Sequence, residues 1–171
     1  MLIFLVGYAG CGKSSLGKRL ARRLGVRCVD TDKLVEHNVG ATISDIFFYE
    51  SEDYFRRAER EVLDGLVEQN FNGVVATGGG MAAWGDNMKR MNEVGITIYI
   101  RRSPQRIISR LTDFGREKRP MFRGKSDEEL LQFITQHMAE REPHYAKARI
   151  VVDCDTMSDD DTVDSIINHI L

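Results

Sequence analysis

Gly7-Tyr8-Ala9-Gly10-Cys11-Gly12-Lys13-Ser14 has the residue types and the spacing needed to hold a nucleoside triphosphate. Glycines let a backbone curl until successive N–H groups converge on phosphate oxygens. Lys13 adds a mobile positive charge for the β- and γ-phosphates, and the Ser14 hydroxyl can ligate Mg²⁺. A plain glycine turn between a strand and a helix would need neither side chain. The expected ATP contacts in this loop are Gly10, Cys11, Gly12, Lys13, Ser14 and Ser15. Cys11 reads as a small loop residue; among N–H donors and beside Lys13, its thiol is also a candidate for oxidation sensitivity.

A bound triphosphate leaves open whether the second partner is water, a phosphate or a hydroxyl. Asp30-Thr31-Asp32 bears on that choice. Asp30 can join Ser14 at the metal, directly or through water, and Asp153 is its rival on pattern alone. In an extended segment Asp30 and Asp32 leave on the same side, with Asp32 placed outward to orient a hydroxyl and accept its proton. The competing reading makes Asp32 the N-cap of a helix beginning at Lys33. No Asn-Lys-x-Asp motif is present, which counts against a GTPase. Arg56 and Arg141 each read first as surface charges paired along a helix, Arg56 with Glu59 or Glu52.

Short apolar runs separated by helical patterns must position these groups. Strands are expected at Leu2–Val6, Arg27–Asp30, Gly73–Thr77, Ile96–Ile100 and Ile150–Asp153. Helices are expected over about Lys13 to Leu24, over Ser51–Gln69 and onward from Ser126; Leu16, Leu20 and Leu24 share one face, as do Leu130, Ile134 and Met138. Apolar strands alternating with helices imply a parallel sheet covered on both faces, with ligands beyond the carboxyl ends of the strands. The phosphate loop, Asp30-Thr31-Asp32 and Gly78-Gly79-Gly80 should therefore meet in one crevice. From Asp113 to Lys125 a basic stretch lacks helical periodicity and reads as a lid over the phosphates rather than an inert charged loop. Ser158-Asp159-Asp160-Asp161 reads as a helix cap, and an EF-hand there is excluded by Met157 at a ligand position.

The 171 residues fit one domain, 1–171. A formal charge of -2 argues against a broad nucleic-acid-binding face, and no segment reaches the roughly 18 apolar residues of a membrane span. The first residues lack the basic region of a signal peptide, and Cys11, Cys28 and Cys154 form no disulfide or zinc pattern. A cytoplasmic protein is expected.

Over nearly its whole length the chain resembles the shikimate kinase family. The resemblance rests on the loop at 7–14, on Asp30-Thr31-Asp32, and on Gly40-Ala41-Thr42-Ile43-Ser44-Asp45-Ile46-Phe47. It extends to Glu52-Asp53-Tyr54-Phe55-Arg56-Arg57-Ala58-Glu59, to Gly78-Gly79-Gly80, to Arg119-Pro120 and to Arg141-Glu142-Pro143-His144-Tyr145. It implies an α/β P-loop kinase fold: a five-stranded parallel sheet of order 2-3-1-4-5 between helices, substrate-binding helices over about 31–69 and a mobile lid over about 113–125. The implied activity is transfer of the ATP γ-phosphoryl to the 3-hydroxyl of shikimate, with Mg²⁺, in chorismate and aromatic amino acid biosynthesis. The resemblance further implies Lys13, Asp32 and Arg119 as catalytic residues, with Ser14 and Asp30 at the metal. Asp32, Arg56, Gly78, Gly79, Gly80 and Arg141 would bind the acceptor, with Glu59 holding Arg56. Arg119, Arg110 and Met157 would complete the ATP site. Ser51 stands where the family usually has glycine, and Met157 lies near a position where some members carry a nucleotide-contacting arginine. A monomer acting on two small molecules, without nucleic acid or membrane, is expected. Competing readings are a gluconate-type kinase and an ATP-binding regulator without catalysis.

Overall fold

A computed structural model describes residues 1–171. Strand β1 (Leu2–Val6) runs into the glycine loop and helix α1 (Lys13–Leu24). Strand β2 (Arg27–Asp30) is followed by helices α2 (Thr31–Val39), α3 (Ile43–Tyr49) and α4 (Glu52–Glu68). After β3 (Gly73–Ala76) come a 3₁₀ turn at Met81–Ala83, helix α5 (Asn87–Val94) and strand β4 (Ile96–Arg101). Helices α6 (Pro104–Arg110) and α7 (Asp113–Lys118), a 3₁₀ turn at Pro120–Phe122 and the long α8 (Asp127–Tyr145) lead to β5 (Ile150–Asp153) and α9 (Asp159–Ile170).

The five strands are all parallel, in the order β2-β3-β1-β4-β5. Inner strands β1 and β3 are almost entirely buried, and β4 is buried from Thr97 to Ile100. Edge strands differ from the fully apolar expectation: Arg27 on β2 and Val151 and Asp153 on β5 are exposed, because an edge strand lacks a neighbour on one side. Connections leave β1 and β4 in opposite directions, which opens a crevice at their carboxyl ends, where ligands of such sheets sit.

The apolar stripes dock the helices. Leu16 and Leu20 of α1 are fully buried, as are Leu130 and Ile134 of α8. Gly25 adopts the left-handed conformation (φ 67°) that ends α1, and Ser51, Ser126 and Ser158 cap the helices they precede. Ser158 and Asp161 form a reciprocal capping box, in agreement with the cap reading of that acidic run. No helix is long and apolar enough to cross a membrane.

The basic stretch departs from expectation. It is helical at Asp113–Lys118, where Thr112 caps through the Gly115 N–H, and its 3₁₀ turn buries Phe122. Helix α7 buries none of its own residues, so no apolar periodicity announces it. Phe122 stacks near the ring of Tyr8, centroids 6.4 Å apart, which fastens this end of the stretch to the phosphate loop.

Truncating Leu20 to alanine should lower the unfolding free energy by about 2–5 kcal/mol, measured by urea titration. An unchanged midpoint would mean that α1 is not held through this stripe.

Candidate active site

Three loop glycines, Gly7, Gly10 and Gly12, have φ between 81° and 148°, values that keep side chains out of the curl. Lys13 is buried, and its Nζ donates to the carbonyls of Gly7 (2.6 Å) and Tyr8 (2.9 Å), lying across the loop where anionic oxygens would compete for it. A cavity of about 310 Å³ opens above, lined by Gly10, Gly12, Lys13, Ser14, Ser15 and Arg110, and also by Arg119. Arg110 lies against Gly12 and pairs with Asp159 at 3.4 Å. Met157 lies apart from that group in a neighbouring cavity of about 430 Å³, which Arg110 also lines. Cys11 is fully buried behind the loop and packs near Gly7, which suits the small loop residue expected there better than an oxidation-sensitive thiol.

Asp30 and Ser14 are brought together, the hydroxyl donating to Asp30 Oδ2 at 2.5 Å. A hydroxyl and a carboxylate oxygen beside the loop suit a small hard cation. The rival Asp153 ends β5, at the opposite edge of the sheet from β2, and pairs there with Arg101 at 3.1 Å. The local geometry of Asp32 differs from both readings of the sequence. Asp30 itself is the N-cap of α2, its Oδ1 accepting from the N–H groups of Asp32 (2.9 Å) and Lys33 (3.3 Å). Asp32 therefore sits inside the first turn of α2, neither a strand residue nor a cap. Helix curvature, rather than strand alternation, turns it toward the crevice.

The glycine triplet after β3 is where the parts meet. A Cβ on Gly78 would lie 2.6 Å from Asp32 Oδ1 and 2.8 Å from Glu59 Oε2. On Gly79 it would lie 2.8 Å from the Ala9 nitrogen, and on Gly80 between 2.3 and 2.6 Å from the Arg56 guanidinium. Each glycine thus admits a different neighbour at a distance no side chain would allow. Thr31 Oγ1 accepts from the Gly78 N–H (2.9 Å), and the Tyr145 hydroxyl donates to the Gly79 carbonyl, so both flanks of the turn are pinned.

Arg56 is buried and held by Glu59 at 2.6 Å and Glu52 at 3.4 Å. The helical pairing expected of a surface arginine is present, but on the inner face of α4. Arg141, from α8, is close enough for its charge to act on Glu59 and on the phenols of Tyr145 and Tyr8. Glu59 Oε2 is buried without a hydrogen-bond partner. Burial raises the Glu59 pKa, to about 7, against the opposing pull of Arg56. Burial and then the neighbouring Asp30 also raise that of Asp32, against Lys13. Arg119 Nη1 donates to the Gly115 carbonyl (3.0 Å), and the charge of Asp32 reaches it.

Sequence reasoning missed Tyr8, Thr31 and Arg102. Arg102 is buried directly after β4 and donates to the carbonyls of Cys11 (2.8 Å) and Cys154 (3.1 Å), tying the loop to β5. A charged residue continuing a buried strand was the signal available for it.

A parallel sheet of this order, with a lysine-bearing phosphate loop at its switch point, defines a P-loop phosphotransferase. The family model described as Shikimate kinase matches residues 9–171. A shikimate kinase of Bacteroides thetaiotaomicron is 36% identical over 168 residues, covering 98% of this chain and 95% of the relative. The crystal structure of shikimate kinase from Bacteroides thetaiotaomicron superposes with a TM-score of 0.89 at 33% identity, covering 99% of this chain and 97% of that one. Shikimate kinase from Acinetobacter baumannii in complex with shikimate superposes with a TM-score of 0.85 at 30% identity, covering 99% and 92%. The chain belongs to the shikimate kinase family. The family's reaction uses ATP as co-substrate, generally with a divalent metal ion.

Because folding raises the Glu59 pKa from 4.5 to about 7, the native state holds a proton that the unfolded chain has released between those values. Stability of the unliganded protein should therefore fall as pH rises across that window, and Glu59→Gln should flatten the slope. Urea midpoints at several pH values test this; an equal slope in the variant would contradict it.

Proposed function

We propose that this chain transfers the γ-phosphoryl group of ATP to the 3-hydroxyl of shikimate, giving shikimate 3-phosphate, with Mg²⁺ as the ion. The observation that carries the reading is the meeting of Asp32, Arg56 with Glu59, and the phosphate loop around Gly78–Gly80. A carboxylate and a guanidinium beside a triphosphate loop suit an acceptor that is both an alcohol and an acid.

In this mechanism Lys13 leaves the Gly7 and Tyr8 carbonyls for the β- and γ-phosphate oxygens. Ser14 and Asp30 would hold the Mg²⁺, whose charge, when bound, offsets that of the phosphates. Arg56 and Arg141 grip the acceptor carboxylate, each able to form a two-pronged match, and Gly79 offers a backbone N–H. Asp32 aligns the hydroxyl and takes its proton as the new bond to phosphorus forms and the bond to ADP breaks. Its raised pKa makes it a better base than an exposed aspartate. Arg119, from the stretch 113–125 acting as a lid, closes on the phosphates, while Arg110 and Met157 border the adenine side. The single domain works as a monomer in the cytoplasm, where three free cysteines stay reduced.

ADP release should be stimulated by shikimate and not by gluconate or other hydroxy acids in a coupled assay; stimulation by gluconate alone, or by none, would overturn the reading. Asp32→Asn should reduce turnover by about a hundredfold or more while ATP affinity is kept. Arg141→Ala should raise the KM for shikimate far more than that for ATP. Near-normal turnover in the first variant, or equal losses in the second, would remove those residues from their roles.

A further inference from the structure

His137 is a half-buried imidazole on α8, one turn before Arg141 and so on the same side of that helix. Its ring stands edge-on to Tyr8, centroids 5.4 Å apart, and leans on Phe133 at 5.2 Å. Tyr8 Oη and His137 Nδ1 are 2.8 Å apart. Tyr8 is only 1% exposed, and a phenol so enclosed must place its proton on an acceptor; Nδ1 is the acceptor within reach. If Nδ1 accepts, the hydrogen of the neutral ring is on Nε2. The ring makes no other hydrogen bond within the chain, so Nε2–H is unspent.

The groups that act on this ring are Arg141 and Glu140 from its own helix and Glu52 and Arg56 from α4. Burial, with Arg141 beside it, lowers its pKa and keeps it neutral at neutral pH. A neutral donor is the form that fits there, since a third cation beside two guanidinium groups would be repelled.

We propose that His137 Nε2–H is a third donor to the acceptor carboxylate, set beside Arg56 and Arg141 and aimed by the Tyr8 hydroxyl. The assignment rests on the reading of the two arginines as the carboxylate clamp. Tyr8 is then a positioning residue: it belongs to the phosphate loop by sequence and serves the acceptor by fixing a tautomer. Through it the two halves of the crevice share one hydrogen bond.

Steady-state kinetics of the full chain with shikimate and with its uncharged methyl ester test this. His137→Leu should raise the KM for shikimate about tenfold, roughly the worth of one hydrogen bond to a charged group, with kcat and the KM for ATP changing several-fold less. His137→Gln, which can set an amide N–H near the same point, should recover most of that loss. Tyr8→Phe should give a smaller rise, about twofold, because both tautomers then become populated and only one of them donates from Nε2. With the methyl ester, whose carbonyl accepts only a weaker, uncharged hydrogen bond, the penalty of His137→Leu should shrink to about threefold or less. A packing role alone would make His137→Leu weaken shikimate and ester alike, or leave the KM for shikimate unchanged, and either result overturns the proposal. Should Arg141→Ala still weaken shikimate selectively in that event, the clamp survives and only His137 is lost from it. Should Arg141→Ala be silent as well, the clamp itself fails. If His137→Leu does not fold, His137→Gln and Tyr8→Phe decide: wild-type affinity in Tyr8→Phe, or a His137→Gln affinity no better than tenfold weakened, contradicts the assignment.

Discussion

Crowding around one backbone turn governs the whole site. Gly78, Gly79 and Gly80 leave β3 with an aspartate, a glutamate, the phosphate loop and an arginine pressed against their α-carbons. A methyl group at any of the three would have to displace part of that arrangement. The turn therefore acts as a fixed hub, and its position is set by the sheet: β3 lies between β2, which delivers Asp30 and α2, and β1, which delivers the loop. Thr31 and Tyr145 hold the turn from either side, so the hub is braced by the elements whose side chains it admits.

Charge follows from that geometry. Asp32 and Glu59 are pressed together with Lys13, Arg56, Arg119 and Arg141 acting on one or both of them. The buried carboxylates resist ionisation, and the cations oppose that resistance. A triphosphate and an acceptor carboxylate would bring negative charge to cations that the protein's own acids only partly satisfy. Preorganised cations cost little reorganisation when phosphoryl charge moves, which is the chief source of catalysis in phosphoryl transfer.

Much of this was legible in the chain. Strands β1, β2 and β5 and helix α1 have the bounds expected, because a short apolar run before a glycine loop and a leucine at every fourth position admit few other readings. Asp30 and Asp32 were recognisable as chemistry but not as geometry. Which of two nearby aspartates caps a helix depends on where the strand stops pairing, and β2 stops at Asp30 itself. Helix α7 was hidden because it buries no face, so its residues carry no period. Arg56 and Arg141 look like ordinary helix-surface charges in isolation; the expectation that they act together came from resemblance, and their spacing alone could not have supplied it. The Tyr8–His137 contact joins the first loop to the last long helix, and such pairs leave no local trace.

A crystal structure of the chain with ADP, Mg²⁺ and shikimate tests the central claim most directly. The account predicts the shikimate ring in the space bounded by the glycine turn, its carboxylate on Arg56 and Arg141 and its 3-hydroxyl on Asp32, facing Lys13. Shikimate bound elsewhere, or bound there with its carboxylate turned away from both arginines, would contradict it.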